Sequence, residues 1–150
     1  RARIMQMIRY ENQAIAFSAA RGNPRNIRTV DDLAGLTVGV EIGGFEERNT
    51  RAISADLQAR GLRPLNIRTF DNFAVAYQAL RAGQVEAVTS IDGVAAEFDQ
   101  RGEFPRVLHG LFATPVSLAF RSRVLAEEVR KVLDAMRADG SLPALFDRFG

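Results

Sequence analysis

The segment LTVGVEIGGFEERNTRAISADLQAR, residues 36–60, decides the fold. Its start, Thr37–Val40, is an apolar run containing β-branched residues, and such a run predicts a buried strand. Two glycines, Gly43 and Gly44, then predict a tight turn. From Phe45 onward the apolar residues recur at helical spacing, which predicts an amphipathic helix. These apolar residues are Ala52, Ile53 and Leu57.

A strand, a glycine turn and a helix start together predict a binding site. The backbone N–H groups at a helix start attract anions. Ligands of open α/β sheets lie at the carboxyl ends of the strands. We therefore expect a pocket over Gly43–Glu46. The alternative is that any strand–turn–helix unit needs a tight turn, which glycine simply supplies.

The rest of the chain alternates strand-like and helix-like segments. Strands are predicted at residues 13–20, 65–68, 85–89, 107–108 and 116–120, with a loop at Thr114 and Pro115 between the last two. Helices are predicted as one turn at residues 29–35, then at 71–83, 93–100, 122–140 and 141–149. Their expected caps include Asp71, Ser122 and Ser141. This alternation predicts an α/β fold with a mostly parallel sheet flanked by helices.

Carboxylates lie at two predicted strand ends. Glu41 ends the strand before the glycine turn, and Asp92 follows Ser90 and Ile91 at the end of another strand. Two carboxylates at adjacent strand ends can bind a cation, or they can cap helices; both interpretations stay open. Glu46 lies with Glu47 in a first helical turn, where carboxylates complement the helix dipole.

The composition excludes several classes of protein. The 150 residues carry 20 basic and 18 acidic side chains, which is too balanced for a nucleic-acid-binding protein. There is no cysteine, and the one histidine, His109, has no evident catalytic or metal-binding partner. No P-loop or GxGxxG motif is present. We therefore expect no catalytic residue, metal or cofactor, and no partnership with nucleic acid.

Three segments together resemble the extracellular solute-binding proteins of ABC importers, in particular the polar amino-acid-binding family. The first is VDDLAGLTVGV at residues 30–40. The second is RTFDN at residues 68–72 with ALRAGQVEAV at residues 79–88. The third is ADGSL at residues 138–142, leading to FDRFG at residues 146–150. Their order and spacing extend over nearly the whole chain.

This resemblance implies a two-lobed, periplasmic or extracellular protein that closes on a small polar or anionic, amino-acid-like ligand and delivers it to a membrane ABC permease. Residues 20–120 would form the second lobe, and residues 121–150 the C-terminal helices that normally return to the first. The chain starts just before the first crossover strand and does not begin with Met. We therefore expect most of the first lobe, including its carboxylate-binding arginine, to be missing.

The pocket departs from the family pattern. Two hydroxyl residues often bind the ligand carboxylate in this family, and Gly44 and Phe45 stand at their positions. The aspartate that typically holds the ligand amine would fall at Ile91, with Asp92 beside it. The expected ligand-binding residues are Glu41, Gly43, Gly44, Phe45, Glu46, Ser90, Ile91 and Asp92.

Two other functions share this fold plan, so the fold alone does not decide among them. One is the ligand-sensing domain of a regulator or receptor. The other is a dehydratase-like enzyme, which would use Glu41, Glu46 or Asp92 as an acid or base. Finally, the C-terminal helices carry an apolar face that we expect to drive self-association of this chain. This face comprises Leu125, Val129, Val132, Leu133, Met136, Leu145, Phe146 and Phe149.

Overall fold

A computed structural model describes residues 5–149, except for the side chain of Phe149. Two predictions therefore lie outside the described residues. One is the place of the Phe149 side chain on the apolar face, and the other is Gly150 at the end of the third family-like segment. The elements in chain order are β1 (Gln6–Ala19), a 3-10 helix (Val30–Leu33), β2 (Thr37–Glu41), α1 (Phe45–Ala59), β3 (Asn66–Phe70), α2 (Phe73–Arg81), β4 (Ala87–Ile91), α3 (Asp92–Gln100), β5 (Arg106–Phe120), α4 (Arg123–Ala138) and α5 (Ser141–Phe149).

The strands form one five-stranded sheet in the order β3-β2-β4-β1-β5. Strand β2 runs parallel to both of its neighbours, β3 and β4, whereas β1 runs antiparallel to β4. The α/β class with a sheet flanked by helices is thus confirmed. The sheet is mixed, and its parallel part is the β3-β2-β4 half, where the predicted pocket lies.

The chain divides into two compact units. The central unit is Ala14–Phe112, and the terminal unit combines Arg1–Gln13 with Ala113–Gly150. Both boundaries fall inside the long strands β1 and β5. The division into a second lobe at residues 20–120 and C-terminal helices at residues 121–150, which the family resemblance implies, stays a prediction.

The central unit buries apolar side chains on both faces of its sheet. One cluster unites the sheet with α1 and the 3-10 helix. Its members include Phe17, Leu33, Val38, Ile53 and Leu57. The second cluster unites the other face with α2. Its members include Ala76, Tyr77, Leu80, Val88 and Phe104. Alternate residues of a strand point to opposite faces, so one short strand such as β4 supplies both clusters.

The strand–turn–helix prediction for residues 36–60 is confirmed by β2 and α1. Gly43 has a φ of +81°, in the left-handed region that side chains other than glycine rarely adopt. Gly39 has a different role: a Cβ there would lie 3.1 Å from the ring of Phe70 and 3.3 Å from Val85. Gly43 therefore makes the turn, and Gly39 lets Phe70 of β3 and Val85, just before β4, approach the backbone of β2 closely.

Four local predictions are wrong. The predicted loop at Thr114 and Pro115 lies within the continuous strand β5, which tolerates proline because it is an edge strand of the sheet. Asn72, not Asp71, caps α2, since its side chain accepts a hydrogen bond from the N–H of Val75 at 3.0 Å. Ser141 is the first residue of α5 rather than its cap. Strand β1 also begins earlier than residue 13, at Gln6.

In the terminal unit, Ser122 caps α4 as predicted by accepting a hydrogen bond from the N–H of Leu125 at 3.2 Å. Few apolar side chains are buried in this unit: those with a low exposed fraction are Ile8, Ala126 and Leu142. Along α4 the side chains of Val124, Leu125 and Val132 are exposed. None of the helices within residues 5–149 combines the length and the apolar character of a membrane-spanning segment.

Candidate functional site

A cavity of about 340 Å³ opens at the carboxyl ends of β2 and β4. Its lining residues are Glu41, Glu46, Phe73, Ser90 and Ile91. We call it the acidic cavity. Four of these five residues belong to the predicted ligand-binding set. Phe73, at the start of α2, was missed because an apolar residue within a predicted helix gives no signal for a binding site.

The sheet register brings the two strand ends together. Val40 of β2 lies opposite Thr89 of β4 in the parallel ladder. Glu41 and Ser90 each follow by one residue, so the last residue of β2 lies beside the next-to-last residue of β4. A side-chain contact also fixes α1 on β4, since the buried Thr50 hydroxyl hydrogen-bonds to the Glu46 carbonyl oxygen at 2.7 Å and to the Thr89 hydroxyl at 3.0 Å. The first turn of α1 is therefore held at the end of β4.

The Glu41 carboxylate has one structural partner. Its Oε2 accepts a hydrogen bond from the N–H of Phe73 at 3.2 Å, at the start of α2. Its other oxygen has no hydrogen-bond partner among residues 5–149. Glu41 thus contributes to the N-terminus of α2, as the capping interpretation expects, and keeps one oxygen for the cavity.

The Glu46 carboxylate lies over the glycine turn. A Cβ added at Gly44 would be only 2.5 Å from its Oε2. Within the described part of the chain, this carboxylate makes no hydrogen bond or ion pair. Its position in the first turn of α1 is one where the helix dipole favours negative charge. The cavity therefore contains a second carboxylate that no cationic side chain neutralises.

The backbone N–H of Gly43, which the sequence placed in an anion site, is not free. It donates a hydrogen bond to Glu47 Oε2 at 2.6 Å, and Arg51 pairs with the other oxygen of that carboxylate at 2.6 Å. These contacts, the Gly43 N–H first, lower the pKa of Glu47 below its usual value. The Gly43 N–H is therefore not available to an anionic ligand, because the carboxylate of Glu47 already accepts its hydrogen bond.

The other predicted site residues lie outside the lining of the acidic cavity. Phe45 packs against the core cluster, and Arg48 lies over its ring at 5.8 Å. Both oxygens of Asp92 are engaged, one by Arg106 at 2.8 Å and one by the N–H of Gly110 at 2.9 Å. Asp92 thus joins the start of α3 to β5. Among residues 5–149, no group of three or more potential ligands is placed to hold a metal ion.

A chain of buried hydroxyl groups ends at the acidic cavity. Ser18 Oγ lies 2.8 Å from the hydroxyl of Tyr77, and that hydroxyl lies 3.0 Å from Ser90 Oγ. The Ser90 hydroxyl in turn donates to the carbonyl oxygen of Ile91 at 3.2 Å. Burial raises the pKa of Tyr77 above its usual value. The sequence offered one signal for this chain, the polar Ser18 within the apolar stretch AIAFSAA.

Two other cavities of the central unit differ in chemistry. One, of about 490 Å³, lies at the C-terminal end of α2, and two of its three charged residues, Arg81 and Glu103, pair with each other. The other, of about 410 Å³, is a largely apolar recess beside Ile53 and Phe112. The acidic cavity is smaller than both, but it combines strand ends, a helix start and unneutralised carboxylates. We therefore take it as the candidate site.

The chain is similar to amino-acid-binding proteins. It is 28% identical over 145 residues to the L-cystine-binding protein TcyJ of Escherichia coli (strain K12), a match that covers 93% of this chain and 51% of TcyJ. No family model matches the chain.

Solved structures show the same likeness. An ancestral arginine-binding protein bound to glutamine aligns with a TM-score of 0.69 at 27% identity, over 97% of this chain and 63% of that protein. The resemblance to the solute-binding proteins of amino-acid ABC importers is thereby confirmed. The probable amino-acid ABC transporter extracellular-binding protein ytmK of Bacillus subtilis has a TM-score of 0.79 at 18% identity, over 99% of this chain and 65% of that one, which supports the fold. The chain spans about half the length of TcyJ.

Proposed function

We propose that this chain binds a small polar, amino-acid-like solute at the acidic cavity and serves an ABC importer. The observation that carries the proposal is the position of this cavity, at the carboxyl ends of two adjacent parallel strands and at the start of α1. Open α/β sheets bind their ligands at that place. The relatives named above are binding proteins for cystine, arginine or glutamine, or extracellular parts of amino-acid transporters.

Binding, rather than catalysis, accounts for the groups in this cavity. Asp92, one of the three carboxylates considered as an acid or base, is held by Arg106 and by a backbone N–H. Glu41 and Glu46 remain, with Ser90 beside them. A cavity with a few polar groups and apolar walls such as Phe73 and Ile91 is typical of small-molecule binding sites.

Isothermal titration calorimetry tests the proposal. The 150-residue chain is titrated with L-arginine, L-lysine, L-glutamine, L-cystine and L-glutamate. We expect saturable binding of at least one of them. Ile91→Trp, which places a larger side chain in the cavity, should abolish this binding. Ile42→Trp is the matched control, because Ile42 is 58% exposed and does not line the cavity. The absence of binding to every amino acid, or equal loss in both variants, contradicts the proposal.

The cellular setting that we propose follows from the same likeness. The solved structure of ytmK is that of a probable extracellular-binding protein of an amino-acid ABC transporter. We propose a periplasmic or extracellular location for this chain, and a membrane permease of the ABC type as the partner that receives the ligand. Crosslinking to a permease encoded beside its gene would support this partnership, and purification without any permease subunit would contradict it.

We also propose that the 150-residue chain self-associates through α4. Its exposed apolar side chains, Val124, Leu125 and Val132, lie within nine residues of one helix. Exposed apolar side chains favour association, because burial removes them from water. Strand β5 lies at the edge of the sheet in the described part of the chain, and this edge offers a second surface for pairing with another copy.

A further inference from the structure

We infer that Tyr77 is a positioning residue for the acidic cavity: its buried hydroxyl orients the hydroxyl of Ser90 so that Ser90 donates a hydrogen bond to the bound solute. This inference rests on the proposed function and adds to the site a residue that does not line the cavity. The part of the solute that it concerns is a hydrogen-bond-accepting oxygen atom, such as a carbonyl or hydroxyl oxygen.

The direction of the hydroxyl chain is set at its buried end. Ser18 is 0% exposed, and its side chain has no hydrogen-bond partner within residues 5–149 other than the Tyr77 hydroxyl, 2.8 Å away. A buried donor without an acceptor is destabilising, so the Ser18 hydroxyl donates to Tyr77. Each hydroxyl has one hydrogen to donate. That of Tyr77 is therefore left for Ser90 Oγ, which lies 3.0 Å away.

The cavity end of the chain carries a hydrogen that a solute can use. Because Ser90 accepts from Tyr77, its own hydrogen is directed away from Tyr77. The acceptor for it is the carbonyl oxygen of Ile91 at 3.2 Å, which is longer than the roughly 2.7–2.8 Å usual for an O–H···O bond. A solute oxygen at the usual distance would be the better acceptor. Linked hydrogen bonds also polarise one another, so donation by Tyr77 strengthens Ser90 as a donor.

The composition of the cavity lining gives this donor its importance. Glu41 and Glu46, when ionised, only accept hydrogen bonds, and Phe73 and Ile91 are apolar. Of the five side chains that line the cavity in the described part of the chain, that of Ser90 alone carries an O–H or N–H donor. An oxygen atom of the solute therefore has the Ser90 hydroxyl as its side-chain partner in this lining.

Packing holds the Tyr77 hydroxyl in place. Tyr77 is 2% exposed, and its ring centroid lies 4.1 Å from that of Phe98 and 5.2 Å from that of Phe104. A side chain whose own position is locked by packing can fix the orientation of the group that it contacts. The aromatic cluster thus keeps the phenol oxygen beside Ser90.

Calorimetry on variants of the whole chain tests the inference, with the five amino acids named above as probes. Tyr77→Phe keeps the ring and removes the hydroxyl, and Ser90→Ala removes the donor itself. Each should weaken binding by about three- to tenfold, the effect of losing one net hydrogen bond. The double variant should bind no more weakly than Ser90→Ala, because Tyr77 acts through Ser90 and the two effects are then not additive.

Two control variants separate positioning from stability. Leu80→Ala lies one turn further along α2 in the same core cluster as Tyr77 and is 1% exposed, so it should lower the stability of the fold. Tyr10→Phe makes the same chemical change as Tyr77→Phe in the terminal unit. Neither residue lines the cavity, and both variants should keep the parent's affinity. Circular dichroism checks that every variant is folded.

Each outcome decides a separate point. Weaker, non-additive binding in Tyr77→Phe and Ser90→Ala, with both controls spared, supports the inference. Unchanged affinity in either variant, additive losses, or an equal loss in Leu80→Ala overturns the inference while the proposed function stands. Should Tyr77→Phe fail to fold, Ser90→Ala decides: lower affinity supports the inference and unchanged affinity overturns it. Failure of every amino acid to bind the parent chain overturns the proposed function and the inference with it.

Discussion

The central and terminal units bury their apolar helix residues to different extents. In Ala14–Phe112, helices on both faces of the sheet cover their apolar residues, as with Leu57 of α1, which is 0% exposed. In the terminal unit, α4 has apolar residues at helical spacing, yet Leu125 is 53% exposed and Val132 is 58% exposed. The same pattern of sequence thus gives a buried face in one unit and an exposed face in the other.

The covered core and the exposed helix face have different roles. A covered core fixes the positions of the side chains around the acidic cavity, and the Thr50–Thr89 contact and the Tyr77 hydroxyl chain depend on it. An exposed apolar helix face adds little to the stability of its own unit and is available for association. Substitutions should therefore act on folding in the central unit and on assembly in the terminal unit.

The largest expected effect is on the buried leucine of α1. Leu57→Ala should lower the free energy of unfolding by about 2–5 kcal/mol, because it leaves a cavity in the core. Leu125→Ala makes the same chemical change at the exposed face of α4 and should alter it by less than about 0.5 kcal/mol. Urea unfolding followed by circular dichroism at low protein concentration measures both. Equal losses would contradict the contrast between the two units.

The second effect concerns the two tyrosines. Tyr77→Phe removes the middle of the buried hydroxyl chain and leaves Ser18 and Ser90 without that partner, so we expect a loss of about 1–3 kcal/mol in unfolding free energy. Tyr10→Phe is the control, since Tyr10 stacks on Phe146 and its hydroxyl has no hydrogen-bond partner among residues 5–149. If both variants unfold at the same urea concentration as the parent, the chain of hydroxyls does not contribute to stability.

The third effect is on assembly. Val132→Glu places a charge on the exposed face of α4 and should raise the dissociation constant of self-association about tenfold or more, since burying an unpaired charge is costly. Ile42→Glu adds the same charge to an exposed position of the central unit and should leave it unchanged. Sedimentation velocity across micromolar concentrations measures the constant. A parent chain that is monomeric throughout would refute the proposed association.

The smallest effect is on pH dependence. The N–H groups of Arg28 and then Thr29 donate to Asp32 and lower its pKa below the usual 3.8. A lowered folded-state pKa stabilises the protein above the unfolded-state value, and this stability is lost as the pH falls through the folded-state pKa. Asp32→Asn should therefore make the decline in stability between about pH 5 and about pH 2 shallower.

The control for this pH effect is Asp71→Asn, which changes an exposed aspartate without a hydrogen bond or ion pair in the described residues. It should keep the parent's slope. A variant Asp32→Asn that loses stability as steeply as the parent would show that this turn does not contribute to acid sensitivity.

The sequence predicted the central fold because its signals are local. The β-branched run of β2, the glycine turn and the helical spacing of α1 all lie within residues 36–60. The sequence did not predict features that depend on contacts between residues far apart in the chain. Strand β5 continues through Pro115 because β5 is an edge strand of the sheet that residues 5–149 form, and the sequence near Pro115 does not reveal that edge position.

The site was predicted in part for the same reason. Strand ends and helix starts are visible in the sequence, so four of the predicted residues, Glu41, Glu46, Ser90 and Ile91, line the acidic cavity. Their binding of a ligand stays a prediction. Which carboxylates are neutralised depends on contacts between elements. Asp92 forms an ion pair with Arg106 of β5, whereas Glu46 forms no ion pair within the described residues. Residue types at strand ends therefore predict where the cavity lies, but not which ligand charge it favours.

The most direct test of the account is where a ligand binds. Amide ¹H–¹⁵N chemical shifts of the chain are followed during titration with L-arginine. We predict saturable changes centred on residues 41–46 and 90–91, with Phe73 included, and little change at Arg81 and Glu103 beside the larger cavity. Changes centred on Arg81 and Glu103, or no saturable change anywhere, would contradict the assignment of the acidic cavity as the binding site.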